Sequence, residues 1–168
     1  MFKSWTWKYI WLTCKHKWFV FLAGWQTGAP LGRLIIHDWS KFLPSEAPHY
    51  GRQFFGPADD PVNFALAWNY HQKRHPHHWE YWQMVTGHNR GGLPDGSPLP
   101  MPEWAVREMV ADWMGASRAY EGQWPTAAWP WLHREGIKDL QRMHPETQQR
   151  VRRVLFDVLF LELSYAKA

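Results

Sequence analysis

Cysteine is almost missing from this chain. Cys14 is the single one in 168 residues. No disulfide can form within the chain, so a disulfide-stapled secreted scaffold is excluded and a reducing, cytoplasmic setting is expected. Cys14 lies among apolar residues and is expected to be an inert core thiol. Long apolar runs are missing too. Lys8, Lys15, His16 and Lys17 interrupt the aromatic segment from Trp5 to Trp25. The uncharged run from Trp18 to Thr27 is far shorter than the roughly 20 apolar residues a membrane span requires. No small-residue cleavage site follows an apolar core, as a signal peptide would need. The segment therefore reads as a buried amphipathic helix, with a membrane-surface helix as the alternative that Trp and Lys together suit.

A strong charge excess is also lacking. Lys and Arg number 19 against 15 Asp and Glu, a formal charge of +4. That balance suits an anionic small molecule and is too small to argue for a stable nucleic-acid complex. No alternating apolar and polar run is long enough for a strand, and no internal repeat is visible. With 45% hydrophobic and 20% charged residues the chain reads as globular. Its length fits one domain with a sizeable core.

The periodic segments are helical. The first is expected from about Ser4 to Ala23, stopping near Gly24. The second starts near Pro30, carries Leu31, Leu34, Ile35 and Asp38 at helical spacing, and ends before Pro44. A third starts at Ser45 as its cap, shortened by Pro48. Asp60 caps a fourth, with Pro61 in its first turn, running to about His75. Pro76 breaks that helix before His77-His78-Trp79-Glu80. Four glycines and three prolines mark Gly87 to Met101 as a loop. A fifth helix follows Pro102, with Trp104, Met109, Val110, Trp113 and Met114 on its apolar face. Residues 122–130 read as irregular. The last helix begins near Pro145 and packs through Val151, Val154, Leu155, Val158 and Leu159, over about residues 145–165. The expectation is a single all-α domain over residues 1–168, a bundle of about six or seven helices. The 14 tryptophans are expected mostly in the core, with a minority free to wall a ring-bearing ligand.

Ten histidines stand out, several beside other ligand types. His16 lies mid-helix. His37-Asp38 ends an apolar segment and is followed by Lys41. His71 comes late in the fourth helix, with His77-His78 beyond its break. Asp112 sits among Met, Val and Trp. A buried carboxylate in such surroundings needs a cation or strong donors. Imidazole with carboxylate suits Mn, Fe, Co or Zn rather than Ca or Mg alone. The candidate ligands are thus His16, His37, Asp38, His71, His77, His78 and Asp112, with Asp38 bridging two ions. The choice between His77 and His78 stays open. Arginine pairing of Asp112 through Arg107 or Arg118 is the plain alternative.

The order His16, His37-Asp38, His71, His77-His78, Asp112 resembles the HD-domain superfamily of metal-dependent phosphohydrolases. "HDWSK" is similar to the His-Asp-x-Gly-Lys pattern of one branch, with Ser40 in place of glycine. The chain also resembles an uncharacterised bacterial and phage family sharing an HDxSKF block (His37 to Phe42), then Glu46 and Tyr50, an HHW block (His77 to Trp79) and an MVADW block (Met109 to Trp113). The resemblance covers roughly residues 5–120. It implies an HD-like helical bundle holding one or two divalent transition metals and hydrolysing a small-molecule phosphate ester, such as a nucleotide, by metal-activated water. Asp38, Lys41 and Glu46 are the expected catalytic residues. Lys41, Arg74 and Trp39 are the expected contacts to substrate, with Trp79 also near. Glu46 and Glu80 are candidates to orient a histidine or a water. No Gly-Tyr-Pro follows "HHWE", so cyclic-dinucleotide hydrolysis is not implied. Two further readings use the same residues: a di-iron oxygenase on the HD fold, and a non-catalytic Trp-rich basic module for a membrane or nucleic-acid strand.

Overall fold

The computed structural model describes residues 3–85 and 92–160. Seven α-helices account for most of them: α1 (Ser4–Thr27), α2 (Leu31–Ile36), α3 (Ala47–Phe55), α4 (Pro61–Arg74), α5 (Glu103–Ala116), α6 (Ile137–Arg142) and α7 (Pro145–Leu159). Short 3-10 turns occupy Trp39–Phe42 and Trp79–Trp82, and π-helical turns occupy Ser117–Glu121 and Leu132–Gly136. No strand occurs among the described residues. One isolated antiparallel bridge, Gln83 to Pro98, ties the base of the glycine- and proline-rich loop, whose residues 86–91 lie outside the described residues. The all-α expectation holds.

Helix α1 is the central element, packed chiefly against α5 and α3. Its buried residues recur every three or four positions: Thr6, Tyr9, Thr13, His16, Val20, Ala23, Gly24 and Thr27. The stripe changes character along the helix. Tyr9, Thr13 and His16 face a polar interior, whereas Val20 and Ala23 enter the main apolar core with Met109, Val110, Met114, Leu132, Leu140, Val151 and Leu155. The α1–α5 approach is close because Gly115 carries no side chain; a Cβ there would lie 2.7 Å from the Val20 backbone nitrogen. A smaller cluster of Tyr9, Tyr50 and Ala67 joins α1, α3 and α4.

Several expectations need correction. Helix α1 passes through Gly24 and stops at Gly28, whose φ of 70° provides the left-handed cap. Helix α2 ends at Ile36, before Asp38, because Asp38 itself adopts φ 54° and turns the chain. The cap position of α3 is Glu46, not Ser45, and Pro48 sits in the first turn, where its missing N–H costs no hydrogen bond. Helix α6 and the π turn Leu132–Gly136 that leads into it lie in a stretch with no clear sequence period. Cys14 is exposed rather than in the core. Of the 14 tryptophans, Trp79 and Trp129 are buried, while Trp7, Trp11, Trp18, Trp25, Trp39, Trp68 and Trp124 are exposed. Helices α4 and α7 start as expected, with the Asp60 carboxylate accepting from Asn63 N–H and His144 accepting from Glu146 N–H. The last part of the expected 145–165 helix, residues 161–165, lies outside the described residues.

Candidate metal centre

Four separated stretches meet between the apolar core and the Tyr9–Tyr50 cluster. Helix α1 brings His16. The turn after α2 brings His37 and Asp38. The end of α4 and the break after it bring His71, His77 and His78. Helix α5 brings Asp112. His16, His37, Asp38, His71 and His77 are at most 1% exposed. The left-handed turn at Asp38 is tolerable for an aspartate and leaves its carboxylate free of any capping role, aimed inward.

The ligand-type atoms form two groups around Asp38. In the first, His16 Nε2 lies 3.3 Å from Asp38 Oδ2 and 2.9 Å from Asp112 Oδ1. His37 Nε2 lies 3.5 Å from Asp38 Oδ2 and 3.3 Å from Asp112 Oδ1. In the second, His71 Nε2 and His77 Nε2 lie 3.2 and 3.4 Å from Asp38 Oδ1, with His78 completing the set. Each group offers four ligand atoms within 4.8 Å of one another. One carboxylate therefore serves both groups, through a different oxygen for each.

These short contacts lack hydrogen-bond alignment. Nε2 of His16, His37, His71, His77 and His78 are buried without a hydrogen-bond partner, and neither Asp38 oxygen has an aligned one, although Oδ2 is ion-paired with Lys41. Orphaned buried polar atoms are costly, and here they converge instead of scattering. The outward edges of His37 and His71 are hydrogen-bonded, and that of His77 faces a carboxylate. His37 Nδ1 bonds Glu108 Oε1 at 3.2 Å, and His77 Nδ1 lies 3.1 Å from the same oxygen. His71 Nδ1 lies 3.3 Å from both Ser40 Oγ and Glu46 Oε2. With Nδ1–H directed at a carboxylate, Nε2 turns a lone pair inward, as a metal-ligating histidine requires. The donor set of five imidazoles and two aspartates fits transition-metal cations.

Electrostatics point the same way. Burial would raise the Asp38 carboxyl, but His37, Lys41 and His71 hold it well below the usual carboxylate range. Asp112 is likewise held well below it against burial by His16 and His37. Burial, then neighbouring His77 and His71, push His78 well below the ordinary imidazole value, so it stays neutral. Burial would lower His16 and His37, yet the aspartates outweigh it and raise both. His75 is pushed down to about 2 by burial and by His71, and its Nε2 lies 2.7 Å from Ser40 Oγ.

A cavity of about 620 Å³ opens onto this centre. His16, His78, Asp112 and Lys41 contribute its polar lining, and Tyr9, Tyr50, Phe54, Trp68 and Tyr120 its aromatic walls. Tyr120 stacks on His16 with ring centres 5.7 Å apart. Lys41 Nζ lies 2.6 Å from Asp38 Oδ2. Burial opposes its charge, but Asp38 raises its pKa well above the ordinary lysine value.

All seven candidate ligands come together, with both His77 and His78 in place. Asp112 pairs with His16 and His37, not with an arginine: Arg107 pairs with Glu103, and Arg118 donates to the Gly122 carbonyl. The expected substrate contacts fare differently. Lys41 lines the cavity. Arg74 does not, because Glu46 Oε1 holds its guanidinium at 2.6 Å. Trp39 is also outside the lining; it is 48% exposed, with its ring 6.2 Å from His75. Trp79 is buried in the core under the Arg142 guanidinium. Glu46 stands behind His71 rather than in the cavity, and Glu80 lies away from the ligands, with Lys73 donating to its backbone carbonyl. Glu108 was not anticipated, although it lies four residues before Asp112 and so on the same face of α5. An aromatic wall from a minority of the tryptophans was expected, and Trp68 supplies part of one, but Tyr9, Tyr50, Phe54 and Tyr120 from α1, α3 and the turn after α5 were not anticipated.

Residues 6–157 match a family described as "Family of unknown function (DUF5662)". The chain belongs to that family. No curated protein and no solved structure matches it. The matched span includes every residue of the centre.

Proposed function

We propose that this chain is a metal-dependent phosphohydrolase acting on a small phosphate ester. One observation carries the reading: two ligand groups share Asp38, and members of both, His16, Asp112 and His78, line a cavity together with the buried Lys41. The first group would hold one cation through His16, His37, Asp38 and Asp112, and the second another through Asp38, His71, His77 and His78. Mn, Fe, Co and Zn all suit this donor set. Such ions, when bound, polarise phosphoryl oxygens and lower the pKa of a water toward about 7.

The protein's own residues do the rest. Lys41 presents a permanent positive charge to a phosphoryl group entering above Asp112 and His78. Glu108 and Glu46 are positioning residues, fixing the rings of His37, His77 and His71. The aromatic walls exclude water and offer flat apolar surface to the organic part of the ester, a role first expected of Trp39 and Trp79. The likeness of His16, His37-Asp38 and Asp112 to the HD-domain order supports the same chemistry. A cytoplasmic setting accords with the single cysteine.

The test is release of inorganic phosphate from a panel of nucleotides and aryl phosphates by protein loaded with Mn or Co. Turnover is expected, with phosphates bearing a ring preferred over glycerol phosphate. Lys41→Met should lower kcat/KM by about 100-fold without loss of bound metal. Dioxygen consumption by the iron-loaded protein, with no phosphate released from any ester, would replace this reading by the oxygenase.

A further inference from the structure

The outer face of α1 raises a separate question. Trp7, Trp11, Trp18 and Trp25 are 60%, 75%, 59% and 76% exposed, and Leu22 is 37% exposed. With exposed Cys14 they recur every three or four residues, so they form one stripe along the whole helix. That stripe lies opposite the buried one that begins at Thr6 and ends at Thr27. Helix α1 is thus apolar on two faces, and among the described residues the outer one remains largely exposed. The outer stripe continues onto α2: Cys14, Trp18, Phe21 and Ile35 line a shared shallow groove, and Leu31, Ile35 and Ile36 are 53%, 63% and 47% exposed. Exposed apolar area of this extent marks an interaction surface.

Charge and residue type select the occupant. The 24 residues of α1 include no Asp or Glu, while Lys3, Lys8 and Lys15 are exposed beside the stripe. A two-fold pairing with a second copy through α1 would bring these lysines near one another with no acidic side chain on the helix to meet them. Tryptophan serves protein interfaces and bilayer surfaces alike, so the charge pattern decides between them. Its flat apolar body with one N–H suits the headgroup level of a bilayer, and lysine reaches from there to anionic phosphates. No helix among the described residues is long and apolar enough to cross a membrane, so the contact is a surface one.

We propose that α1 and α2 form a docking face for an anionic lipid bilayer, with α1 lying along the headgroup plane. The proposal is independent of the metal centre. The inner side of the same helix carries Tyr9 and His16, so docking would hold the cavity at a fixed height over the lipid surface.

Co-sedimentation of the full chain with phosphatidylcholine–phosphatidylglycerol vesicles, against pure phosphatidylcholine vesicles, tests it. The chain should pellet with the anionic vesicles, its tryptophan emission should shift to the blue, and added salt should weaken binding. Replacing Lys8 and Lys15 together by Gln should weaken binding about 30-fold. Trp11→Ser with Trp18→Ser and Trp25→Ser should remove it while leaving the far-ultraviolet circular dichroism unchanged. The proposal is overturned if the wild type ignores anionic vesicles, or binds both vesicle types equally. Binding that survives both sets of substitutions also overturns it. So does a dimer in sedimentation equilibrium that the Trp variant dissociates, since the occupant is then a second copy.

Discussion

Glu108 Oε1 is hydrogen-bonded to His37 Nδ1 at 3.2 Å and lies 3.1 Å from His77 Nδ1, so it stands behind two imidazoles. Arg33 Nε anchors its other oxygen at 2.8 Å. Glu108→Gln keeps the volume but weakens both ring anchors, and it should lower metal affinity about 10–100-fold in calorimetric titration while the chain stays folded. A second prediction concerns protons. The aspartates raise His16 and His37 against the lowering effect of burial. A histidine raised in the folded state adds stability below about pH 6.5, its unfolded value, and that contribution is lost as pH rises through the folded value. A cation must displace the same protons. The gain in Tm on adding Mn should therefore widen from about pH 6 to about pH 8, and a gain that shrinks over that window would contradict the assignment of His16 and His37. At this scale the order of ligand-type residues was legible, because His37-Asp38 and Asp112 sit in apolar surroundings that a charge does not enter alone. Glu108 went unread, although its spacing to Asp112 is one helical turn.

Helix α1 faces the centre with one half of its inner stripe and the core with the other, so its packing against α5 sets the position of His16. Gly115 is where those two helices come closest, with an added Cβ 2.6 Å from Val20 Cγ2 as well as 2.7 Å from the backbone nitrogen. Gly115→Val should cost about 1–3 kcal/mol, or a fall in Tm of about 5 °C, by differential scanning calorimetry. Gly32→Ala is the control: a Cβ there meets nothing within 4 Å, and the Tm should hold or rise slightly. Helices with a local start signal were readable, as Asp60-Pro61 for α4 and His144-Pro145 for α7 show. Helix α1 ended one turn later than read because Gly24, a plausible stop by residue type, is instead needed for close packing against Leu34. The outward tryptophans were assigned to the core because exposure depends on which face the tertiary fold covers, and both faces of α1 are apolar.

Beside its apolar core the described fold buries a second, polar interior around Asp38. Lys41, Arg74 and Arg33 pair with Asp38, Glu46 and Glu108, yet the converging imidazole nitrogens without partners are a burden that a bound cation would relieve. Removing bound metal with EDTA should lower the Tm by about 5–10 °C, the shift expected when a ligand at about 100 times its Kd is withdrawn. The gathering of the ligands was foreseeable from sequence order, whereas the 620 Å³ cavity was not, because its walls are drawn from residues far apart in the chain that only packing joins. The most direct test of the central claim is elemental analysis of protein purified without chelator, run beside Asp38→Ala. About two transition-metal ions per chain in the wild type, lost in the variant, is the predicted result. A wild type that carries no more metal than Asp38→Ala would contradict the account.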